Sequence, residues 1–215
     1  MTPKFSIVCF DVDSTLVTIE GIDVLGAGNP EIARITEATM NGEIPIHEAY
    51  RVRLETLQPS RERIEALGAQ YTRSLVEGAE ETVATLQKAR VEVHLVTAGI
   101  SQAIAPLAQA LHIAPERVHA VDVRFDEQGH YAGFDDKTPL TRNGGKATVV
   151  RDIRTKTPGT AAMVGDGVSD LETRPAVDLF IGYGGVAVRS KVKESADVYV
   201  TARDLRSVLK HLMHE

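Results

Sequence analysis

The stretch Phe5-Ser-Ile-Val-Cys-Phe-Asp-Val-Asp-Ser-Thr15 decides the fold: a mostly apolar run, Phe5 to Phe10, ends abruptly in two carboxylates, Asp11 and Asp13, and two hydroxyls. A strand covered on both faces shows a continuous apolar run instead of alternation, so the run predicts a buried parallel strand with both aspartates at its carboxyl end. In open α/β sheets that edge is where ligands bind. Asp, Ser and Thr are also good turn and helix-cap residues, and read alone the pair suits that structural role equally well.

Beyond Thr15 the spacing turns helical, with four amphipathic segments between about Thr18 and Tyr71. Gly26-Ala-Gly28-Asn-Pro30 separates the first from the second, and Pro30 suits the first turn of a helix over Glu31 to Met40 that Asn41-Gly42 ends. Pro45 and Ser60 mark the next two starts, Ser60 with an Arg-Glu-Arg that resembles a capping box. From Gly78 onward helix and strand signals alternate, the mark of a mostly parallel sheet. Helices are predicted over Glu80–Ala89, Ser101–Leu111, Gly144–Arg154 and Ala202–Met213, and strands over Val91–Val96, Thr160–Val164, Val177–Ile181 and Val198–Val200. Val118–Phe125 and His130–Phe134 flank Asp126-Glu-Gln-Gly129 and predict a β-hairpin.

The expected fold is therefore α/β: a doubly wound, mostly parallel, Rossmann-like sheet with an inserted helical cap and a small hairpin. The core comprises residues 1–16 and 76–215, and the cap residues 17–75. An insert that leaves beside the carboxylates serves either as a lid, excluding water while a charged group is transferred, or as a structural decoration and oligomer contact.

Composition bounds the partners. Hydrophobic residues at 43% and charged residues at 25% of 215 are ordinary globular proportions. With 5% aromatics, no Trp and a net charge of −6, neither a stacking platform for single strands nor attraction to nucleic acid or anionic membranes is expected. No stretch is long and apolar enough to span a bilayer, and the amino terminus runs into the first strand without a leader pattern. A cytoplasmic monomer or homodimer acting on a small molecule is the expectation, with the single Cys9 as a core residue.

Three predicted strands end in polar chemistry on one edge: Asp11 and Asp13, then Thr97 and Gly99, then Asp166 and Asp170, with Lys146 opening a helix nearby. Converging carboxylates are costly unless a cation neutralises them, and oxygen-only ligands beside a phosphate favour magnesium. Asp11 is then placed to attack phosphorus and form an aspartyl-phosphate, and Asp13 to serve as acid and base. Thr97, the backbone N–H groups around Ala98-Gly99, and Lys146 suit the phosphoryl oxygens. Competing motifs fail: Asn143-Gly-Gly-Lys146-Ala147 lacks the first glycine and the hydroxyl of a P-loop, and Gly165-Asp-Gly167-Val-Ser-Asp170 lacks the third glycine of a dinucleotide fingerprint. His211 and His214 share one face of the terminal segment and read as solvated.

Asp11-Val-Asp13-Ser-Thr15, Thr97-Ala-Gly99, Lys146 and Gly165-Asp166-Gly-Val-Ser-Asp170 resemble the four ordered motifs of the haloacid dehalogenase-like superfamily. Within it the chain is similar to the phosphoserine phosphatases over nearly its whole length, through Glu20-Gly-Ile-Asp23, Gln58-Pro-Ser60, Tyr131-Ala-Gly-Phe-Asp135, Gly144-Gly-Lys146 and Phe180-Ile-Gly-Tyr-Gly-Gly185. The resemblance implies that Asp11 is the nucleophile and Asp13 the acid/base. It implies magnesium held by Asp11, the Asp13 backbone carbonyl and Asp166, with Asp170 orienting Lys146 or metal-bound water. The implied substrate is phosphoserine, in the closing step of serine biosynthesis, with Glu20 on its ammonium group and Arg53 on its carboxylate. Met40, Thr97, Ala98, Gly99, Lys146 and Ser169 match the remaining substrate contacts. The chain departs from the family where Thr97-Ala98-Gly99 replaces Ser-Gly-Gly and where Ile46 and Ile100 replace phenylalanines. The rival readings are a related phosphatase or phosphotransferase with another small substrate and, from a different class, a non-catalytic phospho-acceptor domain of receiver type. The latter needs neither a lid nor a second aspartate two residues on.

Overall fold

Ile7–Phe10 form β1, and all four residues are fully buried, so both faces of this strand are covered, as its unbroken apolar run requires. A computed structural model describes residues 2–26 and 28–214, with the side chain of Met40 also outside the described residues. Strand β1 pairs in parallel with β2 (Glu92–Ile100) on one side and β6 (Ala161–Gly165) on the other. Beyond β2 lies β3 (Val118–Val121), and beyond β6 lie β7 (Leu179–Tyr183) and β8 (Val198–Val200), giving the order β3-β2-β1-β6-β7-β8. The chain fills one half of the sheet outward from β1 and then returns to fill the other. The strand order therefore reverses between β1 and β6, and a crevice opens at their carboxyl ends. Phe10 registers with Leu95 and with Val164, so Asp11, Thr97 and Asp166 leave the sheet at nearly one level.

The chain departs after Leu16 and returns at Val76, and the two crossings run side by side. Val17 and Leu75 form an antiparallel bridge, Thr18 N–H donates to the Ser74 carbonyl at 2.8 Å, and Val76 N–H donates to the Leu16 carbonyl at 2.9 Å. Between them lie α1 (Gly21–Leu25), α2 (Pro30–Met40), α3 (Ile46–Leu57) and α4 (Arg61–Arg73). Pro30 stands at the first turn of α2 behind an Asn29 cap, and Ser60 caps α4 by accepting from Arg63 N–H. The capping box expected there is only half made, because the third helical position is Arg63 and not a glutamate.

The return half carries α5 (Ala79–Lys88), α6 (Ser101–Ala110), α7 (Gly145–Lys156), α8 (Val168–Leu171) and α9 (Ser190–Ser195). Helix α4 seats closely on α6: a Cβ at Gly68 would lie 3.1 Å from the Pro106 ring and 3.3 Å from the Ala103 carbonyl. Three local expectations are corrected. The run Val118–Phe125 is not one hairpin arm. Val118–Val121 joins the main sheet as edge strand β3, and only β4 (Val123–Phe125) pairs antiparallel with β5 (Tyr131–Phe134). Asp122 divides them, its carboxylate accepting from the Ser101 hydroxyl and its carbonyl from Asp135 N–H. Strand β2 runs on past Val96 to Ile100, with a register shift against β3 between those residues. The terminal helix begins later than Ala202, because Asp204 caps the next turn by accepting from Arg206 N–H; a 3₁₀ turn over Leu205–Val208 leads into α10 (Leu209–Leu212). Cys9 is fully buried, and burial pushes its thiol up to about 12, so it stays an inert core residue.

Candidate active site

Strand β1 delivers Asp11 into the crevice, and both contacts that hold it fall on Oδ1. The N–H of Val12 donates to it at 2.8 Å and the Lys146 ammonium lies at 2.8 Å. Lys146 comes from the first turn of α7, and its Nζ also donates to Asp170 Oδ1 at 2.7 Å, so one buried cation bridges two buried carboxylates. Burial alone would lower the lysine pKa, but the adjacent Asp11 and Asp170 charges outweigh it and hold the group above its ordinary value, as an ammonium. Burial, then the Asp11 charge, pushes Asp170 up to about 7 against the opposing Lys146 and Gly167 N–H contacts.

Asp166, at the end of β6, completes a cluster. One carboxylate oxygen from each of Asp11, Asp166 and Asp170 lies within 4.8 Å of the others, all three residues buried. Burial and the charges of Asp11 and Asp170 raise Asp166 well above the carboxylate range. Its Oδ1 accepts from the Thr15 hydroxyl at 3.3 Å, whereas its buried Oδ2 has no hydrogen-bond partner among the described residues, the Arg189 Nε standing 3.5 Å away. An unpartnered buried carboxylate oxygen in a carboxylate-rich cluster fits a hard cation: the ion removes the mutual repulsion and gives the orphaned oxygen a ligand bond.

Asp13 turns away from that cluster. Its Oδ1 accepts from Gly21 N–H at 2.7 Å and from the Tyr71 hydroxyl at 2.8 Å. Burial, then the nearby Asp11 charge, pushes its carboxyl up to about 6 despite those two donors, a poise suited to giving and taking protons near neutrality. The turn between the two aspartates and α1 passes through Ser14 at φ +52°, and the Ser14 hydroxyl donates to Glu20 Oε1 at 2.5 Å. Burial and the Asp13 and Asp166 charges raise Glu20 well above its ordinary value.

Arg53 on α3 is buried opposite. Its Nε donates to the Ala49 carbonyl and its Nη1 to the Thr36 hydroxyl, both at 3.2 Å, and among the described residues it makes no ion pair. At the end of β2 the register shift lifts Thr97-Ala98-Gly99 out of the ladder, as a bulge does when it re-aims chain next to a site. Gly99 N–H donates to the Thr97 hydroxyl at 3.0 Å.

A single cavity is bordered by Asp11, Asp13, Glu20, Arg53, Thr97 and Lys146. Ala98, Gly99 and Ser169 border it as well, while Ile22, Ile46, Leu54 and Ile100 supply apolar wall. Asp166 and Asp170 do not border it; both are buried, Asp166 close to Asp11 and Asp170 against Lys146. The predicted contact at Met40 falls outside the described residues. Three residues of the region escape sequence reasoning: Tyr71, which holds Asp13; Tyr50, which borders the cavity; and Arg189, buried among Glu20, Glu37 and Asp166. Tyr71 and Tyr50 sit on helices at core-facing spacing, and Arg189 lies in a loop with no motif of its own.

The model of the haloacid dehalogenase-like hydrolases matches residues 8–173. This chain belongs to that family. Phosphoserine phosphatase from Bos taurus is 38% identical over 198 residues, covering 90% of this chain and 88% of the relative. The chloroplastic phosphoserine phosphatase of Arabidopsis thaliana is 41% identical over 197 residues, covering 88% of this chain and 66% of the relative. Among solved structures, a substrate-bound phosphoserine phosphatase complex superposes with a TM-score of 0.84 at 25% identity, over 97% of this chain and 99% of the other. A phospho-aspartyl intermediate analogue of phosphoserine phosphatase superposes with a TM-score of 0.81 at 25% identity, over 96% and 98%. The chain is thus a phosphatase-type hydrolase of the family, with the Rossmann-like core expected from its first strand. No described helix is long and apolar enough to cross a membrane.

Proposed function

We propose that this hydrolase releases inorganic phosphate from O-phospho-L-serine, using Mg²⁺, through a phosphorylated Asp11. The observation that carries the reading is the split at the end of β1: Asp11 is clamped through Oδ1 by Lys146 and Val12 N–H, while Asp13, two residues on, is pinned facing elsewhere by Gly21 and Tyr71. Two carboxylates with separate environments take separate roles. The Asp11 oxygen free of the clamp attacks phosphorus and the bond from phosphorus to the serine oxygen breaks, Asp13 giving its proton to that oxygen. In the second step Asp13 takes a proton from water as the water oxygen attacks phosphorus, and the Asp11–phosphate bond breaks. Lys146, Thr97 and the N–H groups of the β2 bulge hold the phosphoryl oxygens.

Asp11, the Asp13 carbonyl and Asp166 are the groups that would hold Mg²⁺, with Asp170 steadying Lys146. When bound, the ion offsets the charge of the transferring phosphoryl group and of the carboxylates around it. Glu20 and Arg53 are assigned to the ammonium and carboxylate of the serine part, and residues 17–75 to a lid hinged at the paired crossings Val17 and Leu75. Purified protein assayed with and without Mg²⁺ against phosphoserine and a panel of other phosphate esters tests this. Phosphoserine is expected to give the highest kcat/KM with metal. Turnover of phosphoserine no faster than of generic phosphates would remove the substrate assignment, and a long-lived phosphoprotein without turnover would favour a receiver-type role.

A further inference from the structure

Tyr50 occupies an unusual place for a tyrosine. It lies on α3 one turn before Arg53, is only 5% exposed, and borders the same cavity as Asp11 and Lys146. Its hydroxyl is buried and has no hydrogen-bond partner among the described residues. The ring makes a tilted contact with Phe134 of the hairpin, centroids 5.2 Å apart at 58°, and packs almost wholly out of solvent. A buried hydroxyl without a partner is destabilising, and a phenylalanine would fill the same space without that penalty. Because this residue borders the cavity, a ligand bound there can supply the missing partner.

The charge around the hydroxyl indicates what that partner is. It feels the charges of Arg53 and Asp13, which border the same cavity. Burial first, with Asp13 and Tyr131 adding to it and Arg53 opposing, drives the phenol far above its ordinary range, so it remains a neutral O–H donor. Beside a buried guanidinium that makes no ion pair among the described residues, an anionic oxygen is attracted, the carboxylates of Glu20, Asp23 and Asp13 acting on that guanidinium only from beyond ion-pair distance. We propose that the Tyr50 hydroxyl donates to the substrate carboxylate alongside Arg53, making a two-donor grip that selects an α-amino-acid phosphate over a phosphate ester lacking the carboxylate. This rests on the phosphoserine reading and adds to it a specificity residue.

The test compares Tyr50→Phe with wild type on phosphoserine and on phosphoethanolamine, which keeps the phosphate and the amine but lacks the carboxylate. A hydrogen bond to a charged group corresponds to about 10- to 100-fold in an equilibrium constant. The ratio of kcat/KM for phosphoserine over phosphoethanolamine is therefore expected to fall by at least about tenfold in the variant, chiefly through a higher KM for phosphoserine. Inhibition by L-serine should weaken in parallel, and the melting temperature should hold or rise as the orphaned hydroxyl is removed. A variant that keeps the wild-type ratio overturns the role of Tyr50 while leaving the substrate assignment standing. A wild-type protein that shows no preference for phosphoserine overturns both. Should Tyr50→Phe fold poorly, Tyr50→Leu gives the same comparison without the ring, and an unchanged ratio there refutes the proposal equally.

Discussion

Replacing Lys146 with methionine should cost this protein more than its activity. The ammonium stands 2.8 Å from Asp11 and 2.7 Å from Asp170, with all three groups almost wholly shielded from water. At an effective dielectric constant of about 20, each attraction at such distances is roughly 6 kcal/mol before desolvation. Taking the charges out of water offsets much of this, and removing one partner of a buried pair typically costs about 3–5 kcal/mol, because the other partner is left uncompensated. Here two partners are left so: among the described residues Asp11 keeps only Val12 N–H, and Asp170 keeps only Gly167 N–H. The melting temperature of a domain this size moves about 2–4 °C per kcal/mol, so Lys146→Met should melt roughly 6–20 °C lower in chelator at neutral pH. Urea unfolding of Lys146→Met, Asp170→Asn and the double variant, all metal-free, isolates the cause. The double variant should be less destabilised than the sum of the singles by about 1–3 kcal/mol, because Asp170→Asn removes the carboxyl that Lys146→Met leaves without its cation. A single variant within about 1 kcal/mol of wild type, or a strictly additive cycle, would refute the account of Lys146 as the neutralising centre of the site.

Two further outcomes concern the Asp13 side of the site and the outer part of the sheet. An ideal Cβ at Gly21 would lie 1.9 Å from the Tyr71 hydroxyl, so the N–H and the phenol that together hold Asp13 exclude a side chain at position 21. Tyr71→Phe should lower kcat about tenfold through a looser Asp13, and Gly21→Ala should destabilise by about 1–3 kcal/mol, less so in the Tyr71→Phe background; equal costs in both backgrounds, read by denaturant unfolding, would sink the coupling. On the far edge of the sheet, His94 Nδ1 and His119 Nε2 stand 3.2 Å apart, with Glu92 3.4 Å from the other His94 nitrogen. Burial lowers both imidazoles, His119 to about 4 with His94 and Lys156 adding to it, while Arg117 opposes protonation of His94. Both rings are neutral in the fold and take up a proton in the unfolded chain near pH 6.5. Stability is therefore complete above that pH and lost as pH falls from about 6.5 toward 4, by roughly 1–2 kcal/mol for His119 after discounting its exposed part. A His94→Phe/His119→Phe variant should show a flatter pH dependence in that window by thermal melting, and an unchanged slope would contradict it.

The fold was legible where one physical signal dominated. The apolar run of β1 has a single use, burial on both faces, and its abrupt end at Asp11 places the carboxylates at the crevice. The insert announced itself through Asn29-Pro30 and Ser60, residues whose capping chemistry is local and so survives without tertiary knowledge. The edge strand β3 did not, because Val118–Val121 runs into Val123–Phe125 with only Asp122 between them and reads as one arm, and only its parallel register with Leu95 and Val96 separates the two. That pairing partner lies over twenty positions away and leaves no trace in local spacing.

The site divides along the same line. That Asp11, Asp13, Lys146 and Asp166 come together was readable because motif chemistry asks for those groups at strand ends and a helix start; their roles are those proposed above. Tyr71 and Tyr50 were not, since on a helix the same ring spacing serves a packed core; what separates them is the fate of one oxygen each. The Tyr71 hydroxyl is spent on Asp13, and the Tyr50 hydroxyl is left over. Arg189 is a third case, where the informative fact is three acidic neighbours drawn from α2, from the turn before α1 and from the end of β6. One guanidinium thus stands between Asp166, in the proposed cation site, and two carboxylates of the helical insert, Glu20 and Glu37. The proposed chemistry at the sheet edge and the proposed recognition by the insert are therefore coupled through one guanidinium, and substitutions at Glu20 or Glu37 should be felt at Asp166 without touching it.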